Sequence, residues 1–209
     1  MPETISETVY ELIEMLKADS SLTIEDAVDT LSETEIYDYI NLDKPLHTQT
    51  FYLADAYVRC LNRKKLVEAL DKCEHELHLF GALWEELPLK HATIHREIPF
   101  NLTFTVFTKA KISVNIMPNF KAGSHDRVFS SQLNGAVTLT DPTTLLLNEY
   151  KDNNNILFFD LKDIDATTLK VDESLKDLDK LKKIAQEGYE VASKHHTWAE
   201  ITKKLLSAI

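Results

Sequence analysis

Hydrophobic residues follow two different periods along the chain, and the change falls near residue 74. Before it, apolar side chains recur at helical spacing: Val9, Leu12, Ile13 and Leu16 form one stripe, and residues 51–72 carry a longer one. Cap-like serine and threonine residues at 20–23 separate the first stripe from a second helical one, while Tyr37, Tyr39 and Ile40 precede a break at Lys44–Pro45. No strand pattern occurs in this part. The pattern predicts an all-helical N-terminal segment over residues 1–73.

After residue 74, short apolar runs alternate with helical ones. The predicted strands are residues 76–80, 92–98, 112–117, 136–140 and 156–160. The predicted helices are residues 100–109, 126–134, 142–150, 174–195 and 198–206. Strands that alternate with helices of this length indicate βαβ crossovers. Residues 74–209 are therefore predicted to form an α/β domain around a parallel sheet of about five strands.

The four glycines mark positions where the backbone turns or packs closely. Gly81 closes the first strand, Gly123 lies in a loop, and Gly135 is a predicted helix C-terminal cap. Gly188 lies inside a helix, where it is expected to allow close packing. Neither GxGxxG nor GxxxxGK occurs, which disfavours a dinucleotide-binding turn or a P-loop.

The connection between the third and fourth strands carries the strongest candidate site. Its helix begins near Asp126, and free amides at a helix start attract an anion. Arg127 can give bidentate hydrogen bonds, and His125 and Lys121 are further donors. This combination suits a diphosphate. The alternative is that Asp126 simply caps the helix and Arg127 is a solvated surface residue.

Other groups of histidine and acidic residues are expected to have structural roles. His75, His78, His91 and His95 are expected not to share a metal ion, because His75 and His78 would point to opposite faces of a strand. His195, His196 and Trp198 indicate a helix-to-helix corner with Trp198 packed in the core and a catalytic histidine as the weaker alternative. The acidic pairs Glu85–Glu86 and Asp163–Asp165 are expected in polar turns.

Composition sets the class of protein. The 209 residues are 44% hydrophobic, with a net charge of −11 and a pI near 5.2, which argues for a globular protein without a nucleic-acid-binding surface. No apolar run approaches the length of a membrane span, and the acidic N-terminus does not resemble a signal peptide, so a cytosolic location is expected. Cys60 and Cys73 are expected to remain free thiols.

Two segments resemble a known family. They are ISVNIMPNFKAGSHDRVFSSQLNGAVTLTD, which begins at Ile112, and DLDKLKKIAQEGYEVASKHHTWAEI, which begins at Asp177. Residues 74–209 resemble the C-terminal domain of GT-B glycosyltransferases, within the spore-maturation-protein-like group of bacterial enzymes. The resemblance implies a Rossmann-like domain that binds a nucleotide-diphosphate sugar, with no cofactor and usually no metal. The acceptor and the usual catalytic base would come from an N-terminal Rossmann-like domain.

The same resemblance implies the donor-binding residues. The family's donor loop matches residues 119–127, so Arg127 would face the diphosphate, His125 and Asp126 the sugar or phosphate, and Asn119 and Lys121 would belong to the same loop. Gly81 would border the cleft, and Arg96 would approach the base. Ser130 stands where many GT-B donor sites have a glutamate that holds the ribose hydroxyls.

The helical segment 1–73 departs from the family because it cannot supply the N-terminal Rossmann-like half. The chain is therefore expected to be a fragment of a longer glycosyltransferase, inactive alone, rather than a stand-alone donor domain with a helical attachment. The competing hypothesis is a noncatalytic Rossmann-like interaction module that presents its helical N-terminus to a partner.

Overall fold

The computed structural model describes residues 3–31, 44–73, 75–117 and 119–207. Its contacts divide the chain into a helical unit, Met1–Lys65 with Met117–Ala122, and an α/β unit, Leu66–Ile116 with Gly123–Ile209. The predicted domain boundary at residues 73 and 74 stays a prediction. Tyr37, Tyr39 and Ile40 lie outside the described residues.

The helical unit contains α1 (Glu3–Ala18), α2 (Ile24–Leu31) and most of α3 (Lys44–Leu70). Thr23 and Asp26 cap α2 reciprocally: the Asp26 amide donates to Thr23 Oγ1 at 3.0 Å, and the Thr23 amide donates to Asp26 Oδ2 at 3.3 Å. The apolar stripes predicted from the sequence bury one core, formed by Leu12, Leu16, Ala27, Val28, Leu31, Ala54 and Val58.

The α/β unit contains the five predicted strands, all in parallel pairs. Strand β1 (His78–Phe80) pairs with β2 (Thr93–His95) in a two-stranded sheet. The second sheet has the order β3 (Ile112–Val114), β4 (Val137–Thr140) and β5 (Leu157–Phe158). The α/β class with parallel strands is confirmed. Hydrogen bonding groups the described strands into two sheets rather than one.

Four described helices of this unit begin at a residue whose side chain caps them. The helices of the unit are α4 (Phe100–Phe107), α5 (Asp126–Leu133), α6 (Thr144–Glu149), α7 (Ile164–Lys176), α8 (Leu178–His195) and α9 (Trp198–Ser207). The predicted helix 174–195 is wrong at its start, since α8 begins only after its cap Asp177 and α7 precedes it. The polar turn expected at Asp163–Asp165 is also wrong, because Asp163 caps α7 and accepts a hydrogen bond from the Ala166 amide at 2.9 Å.

The core of the α/β unit lies around β4, whose four residues are all buried. Leu139 and Leu157 of neighbouring strands pack there with Leu181 and Ile184 of α8. Gly188 of α8 permits the closest approach: a Cβ at this position would lie 2.6 Å from the Asn155 carbonyl oxygen. This contact explains the helical glycine, and it bears out the expectation of close packing.

Candidate functional site

The N-terminus of α5 is capped by His125, whereas the sequence offered Asp126 as the cap. His125 has extended backbone angles (φ −78°, ψ 142°), and its Nδ1 accepts a hydrogen bond from the Arg127 amide at 3.3 Å. Asp126 is already the first helical residue, so its carboxylate lies in the first turn, where the helix dipole favours a negative charge. A ring nitrogen therefore takes the place of the usual cap oxygen.

The same ring nitrogen has two charged neighbours. His125 Nδ1 lies 2.5 Å from Asp126 Oδ1 and 3.5 Å from Arg127 Nε. Partial burial and the Arg127 charge lower the pKa of His125, and the Asp126 carboxylate opposes them. Nδ1 accepts from the Arg127 amide when it carries no proton, and it donates to Asp126 Oδ1 when it is protonated. Protonation would thus exchange the helix cap for an ion pair.

Buried polar side chains line the carboxyl ends of β3 and β4. Asn115 follows β3, and its Nδ2 donates to Thr140 Oγ1 at 3.1 Å. Asn115, Thr140 and Asp141 are all at least nine-tenths buried, and within the described part of the chain Asn115 Oδ1 has no hydrogen-bond partner. Ligands of α/β folds bind at this end of the strands. Sequence reasoning did not select these residues, although an asparagine inside the apolar run 112–117 was a visible signal.

The structure distributes the predicted donor loop over both units. His125, Asp126, Arg127 and Ser130 lie together on α5 or next to it, in the α/β unit. Asn119 and Lys121 belong to the helical unit. Asn119 is buried, and its side-chain Nδ2 donates hydrogen bonds to two carbonyl groups of the helical unit. Lys121 Nζ lies 3.3 Å from Asp26 Oδ2. Their predicted contact with a donor stays a prediction.

Gly81 and Arg96 lie at the carboxyl edge of the two-stranded sheet. The Gly81 amide donates to the His95 carbonyl at 3.2 Å, and its φ of +129° is one that side chains disfavour. Arg96 directly follows β2 and is exposed. On this sheet the His78 and His95 rings meet at 2.9 Å between nitrogens, and His95 stacks on Phe80. The described residues contain no group of three or more side chains arranged to hold a metal ion.

The predicted corner before α9 is present, but its inward residue is His196. The Trp198 side chain is 81% exposed, so its expected place in the core is wrong. The His196 ring stacks on Phe129 with a centroid distance of 3.8 Å, and its Nε2 contacts the Glu149 carboxylate. Burial lowers the pKa of His196, although Glu149 opposes the shift. The His196 side chain is only 9% exposed, and it joins the end of α8 to Phe129 of α5 and Glu149 of α6.

Parallel strands with flanking helices define an α/β unit of the Rossmann-like type. The family model described as glycosyl transferase-like matches residues 62–207. The chain belongs to this glycosyl transferase-like family. No curated protein matches it significantly. Across the part of the chain that the structure describes, no helix is long and apolar enough to cross a membrane.

Proposed function

We propose that the α/β unit is the donor-binding half of a glycosyltransferase that transfers a sugar from a nucleotide-diphosphate sugar to an acceptor. The observation that carries the proposal is the start of α5. There His125 caps the helix and Arg127 lies in its first turn, within the residues that match the family model. In this proposal the fold is the C-terminal half of a GT-B enzyme of the spore-maturation-protein-like group, and no cofactor or metal takes part.

The chemistry of the α5 start suits a diphosphate leaving group. Arg127 is exposed, and a guanidinium gives paired hydrogen bonds to phosphate oxygens. The helix dipole adds positive potential at the same place. Such groups stabilise the negative charge that develops on a nucleoside diphosphate as the sugar leaves. A general base and the acceptor would come from a second Rossmann-like domain.

The direct test is isothermal titration calorimetry of the full chain with UDP, GDP, ADP, CDP and dTDP and their sugar conjugates. Arg127→Ala is expected to weaken binding of the preferred nucleotide at least tenfold, since a hydrogen bond to a charged group contributes about 1.5–3 kcal/mol. Arg59→Ala is the matched control: Arg59 is on α3, in the helical unit, and pairs with Asp55 at 2.9 Å. No heat with any nucleotide, or equal affinity in Arg127→Ala, would refute the proposal.

A noncatalytic interaction module is the second candidate, and the helical unit favours it. Tyr10, Tyr52 and Tyr57 are 66%, 69% and 52% exposed, so the helical unit presents three large aromatic side chains to solvent. Residues 1–43 also hold twelve acidic residues and one lysine, and so account for the whole net charge of −11. Ser130 in place of glutamate points the same way. Glycosyl transfer by the complete gene product would rule this candidate out.

A further inference from the structure

The connection from β3 to α5 makes an excursion into the helical unit. Residues Met117–Ala122 pack as part of that unit, whereas the residues on both sides of them belong to the α/β unit. Asn119 anchors the excursion, with only 6% of its surface exposed and a left-handed φ of 63°. Asparagine tolerates this backbone conformation better than most side chains.

Three hydrogen bonds hold Asn119 to the end of α1 and to the connection between α1 and α2. Its amide donates to the Ser20 carbonyl at 3.0 Å, and its Nδ2 donates to the Leu22 carbonyl at 2.9 Å and to the Leu16 carbonyl at 3.4 Å. The carbonyl of Leu16 is one of the last four of α1, which have no partner inside the helix. Asn119 therefore completes the end of a helix that lies about a hundred residues earlier in the chain.

The neighbours of Asn119 strengthen the same attachment. Met117 is buried, and its carbonyl accepts from the Phe120 amide at 3.2 Å, which closes a turn around Asn119. Lys121 pairs with Asp26 at 3.3 Å, but both side chains are about half exposed, so this ion pair contributes little. The buried asparagine is the main anchor.

We propose that Asn119 is a positioning residue for the donor site: by holding the middle of the β3–α5 connection with its hydrogen bonds, it limits the conformations of the chain that leads into the His125 cap. Only Gly123 and Ser124 separate the anchored segment from His125. We expect a segment that is held this close to His125 in the sequence to keep the α5 start ordered. The effect on nucleotide affinity rests on the function proposed above, whereas the effect on loop order does not.

Asn119→Asp tests this inference because it keeps the size and backbone preference of the residue but removes the Nδ2 donor. It also buries a negative charge against two carbonyl oxygens. Asn153→Asp is the matched control, since Asn153 also has a left-handed φ, of 59°, but is exposed and lies in the α/β unit. Asn119→Gly removes only the side chain and retains the hydrogen bond from the backbone amide of residue 119 to the Ser20 carbonyl.

Two measurements are made on the full-length variants. Amide hydrogen exchange reports the order of residues 119–127, and calorimetry reports the affinity for the panel of nucleoside diphosphates. In Asn119→Asp we expect exchange at residues 123–127 to be at least tenfold faster and nucleotide affinity at least tenfold weaker, with β4 amides unchanged. Asn119→Gly should lie between Asn119→Asp and wild type, and Asn153→Asp should match wild type.

A folded Asn119→Asp protein that exchanges faster only at residues 119–122, with unchanged nucleotide affinity, would overturn the inference. If circular dichroism shows that this variant does not fold, the same two measurements on Asn119→Gly decide the question. If wild-type protein binds no nucleoside diphosphate, the proposed function fails, and exchange at residues 123–127 alone decides whether Asn119 positions the α5 start.

Discussion

At the scale of single residues, the buried carboxylate of Asp71 joins two segments that lie about twenty residues apart in the chain. It is 5% exposed and accepts hydrogen bonds from the amides of Lys90, His91 and Ala92 at 2.7, 2.9 and 2.6 Å. Burial raises the pKa of the Asp71 carboxyl, but the three amide hydrogen bonds and His91 outweigh it, so the pKa lies below its ordinary value. The ionised side chain fastens the segment before β2 to the end of α3.

A depressed carboxyl pKa makes stability depend on pH in one direction. The Asp71 contribution is fully present above its unfolded pKa of about 3.9 and is lost as pH falls through the lower folded pKa. Asp71→Asn should reduce the unfolding free energy near pH 7 by about 2 kcal/mol, because the new amide group opposes the backbone donors. Urea denaturation between pH 2.5 and 7 measures this. A wild-type curve no steeper than that of the variant below pH 4 would contradict the prediction.

At the scale of elements, local signals predicted the strands well and the helix boundaries less well. β4 was visible because a short apolar run follows Gly135, and that run is buried throughout. Helix α7 was not visible because its buried face contains Thr167, whose hydroxyl donates to the Asp163 carbonyl at 3.1 Å. A polar residue on the inward face breaks the apolar period on which helix prediction depends.

The caps of α7 and α8 supply a matched test at this scale. Asp163 and Asp177 each accept a hydrogen bond from the amide three residues later, at 2.9 and 3.0 Å. Asp163→Ala and Asp177→Ala should each lower the unfolding free energy by about 1 kcal/mol. Asp165→Ala is the control, since Asp165 lies in the first turn but is not the cap. Chemical denaturation measures the unfolding free energy of the three variants. An equal loss of unfolding free energy in all three would contradict the prediction.

In the candidate site, too, groupings of sequence neighbours were predictable, and contacts between residues far apart in the chain were not. His125, Asp126 and Arg127 are neighbours in sequence, so their grouping at a helix start was predictable. The side chain of Asn119 binds carbonyls about a hundred residues away, and no local pattern carries that information. Without an expected partner, the sequence could only assign Asn119 to the loop in which it stands.

At the scale of the whole molecule, the described residues form two cores that have no residue in common. Leu16 belongs to the helical core and Leu139 to the α/β core, and both side chains are fully buried. Leu16→Ala and Leu139→Ala should each cost about 2–5 kcal/mol, from lost burial and the cavity left behind. Amide exchange should accelerate in α1 and α2 for Leu16→Ala, and in β3 to β5 for Leu139→Ala. Equal acceleration in both units for either variant would contradict the division into two cores.

The excursion of residues Met117–Ala122 also decides how the protein can be dissected. The chain passes between the two units at residues 65–66, 116–117 and 122–123, so no single cleavage separates them. A polypeptide that begins at Leu66 would retain Met117 and Asn119 but lose the helices that cover them. Such a truncated protein would leave the Asn119 side chain without its carbonyl partners, and its failure to bind a nucleotide would say nothing about the intact chain.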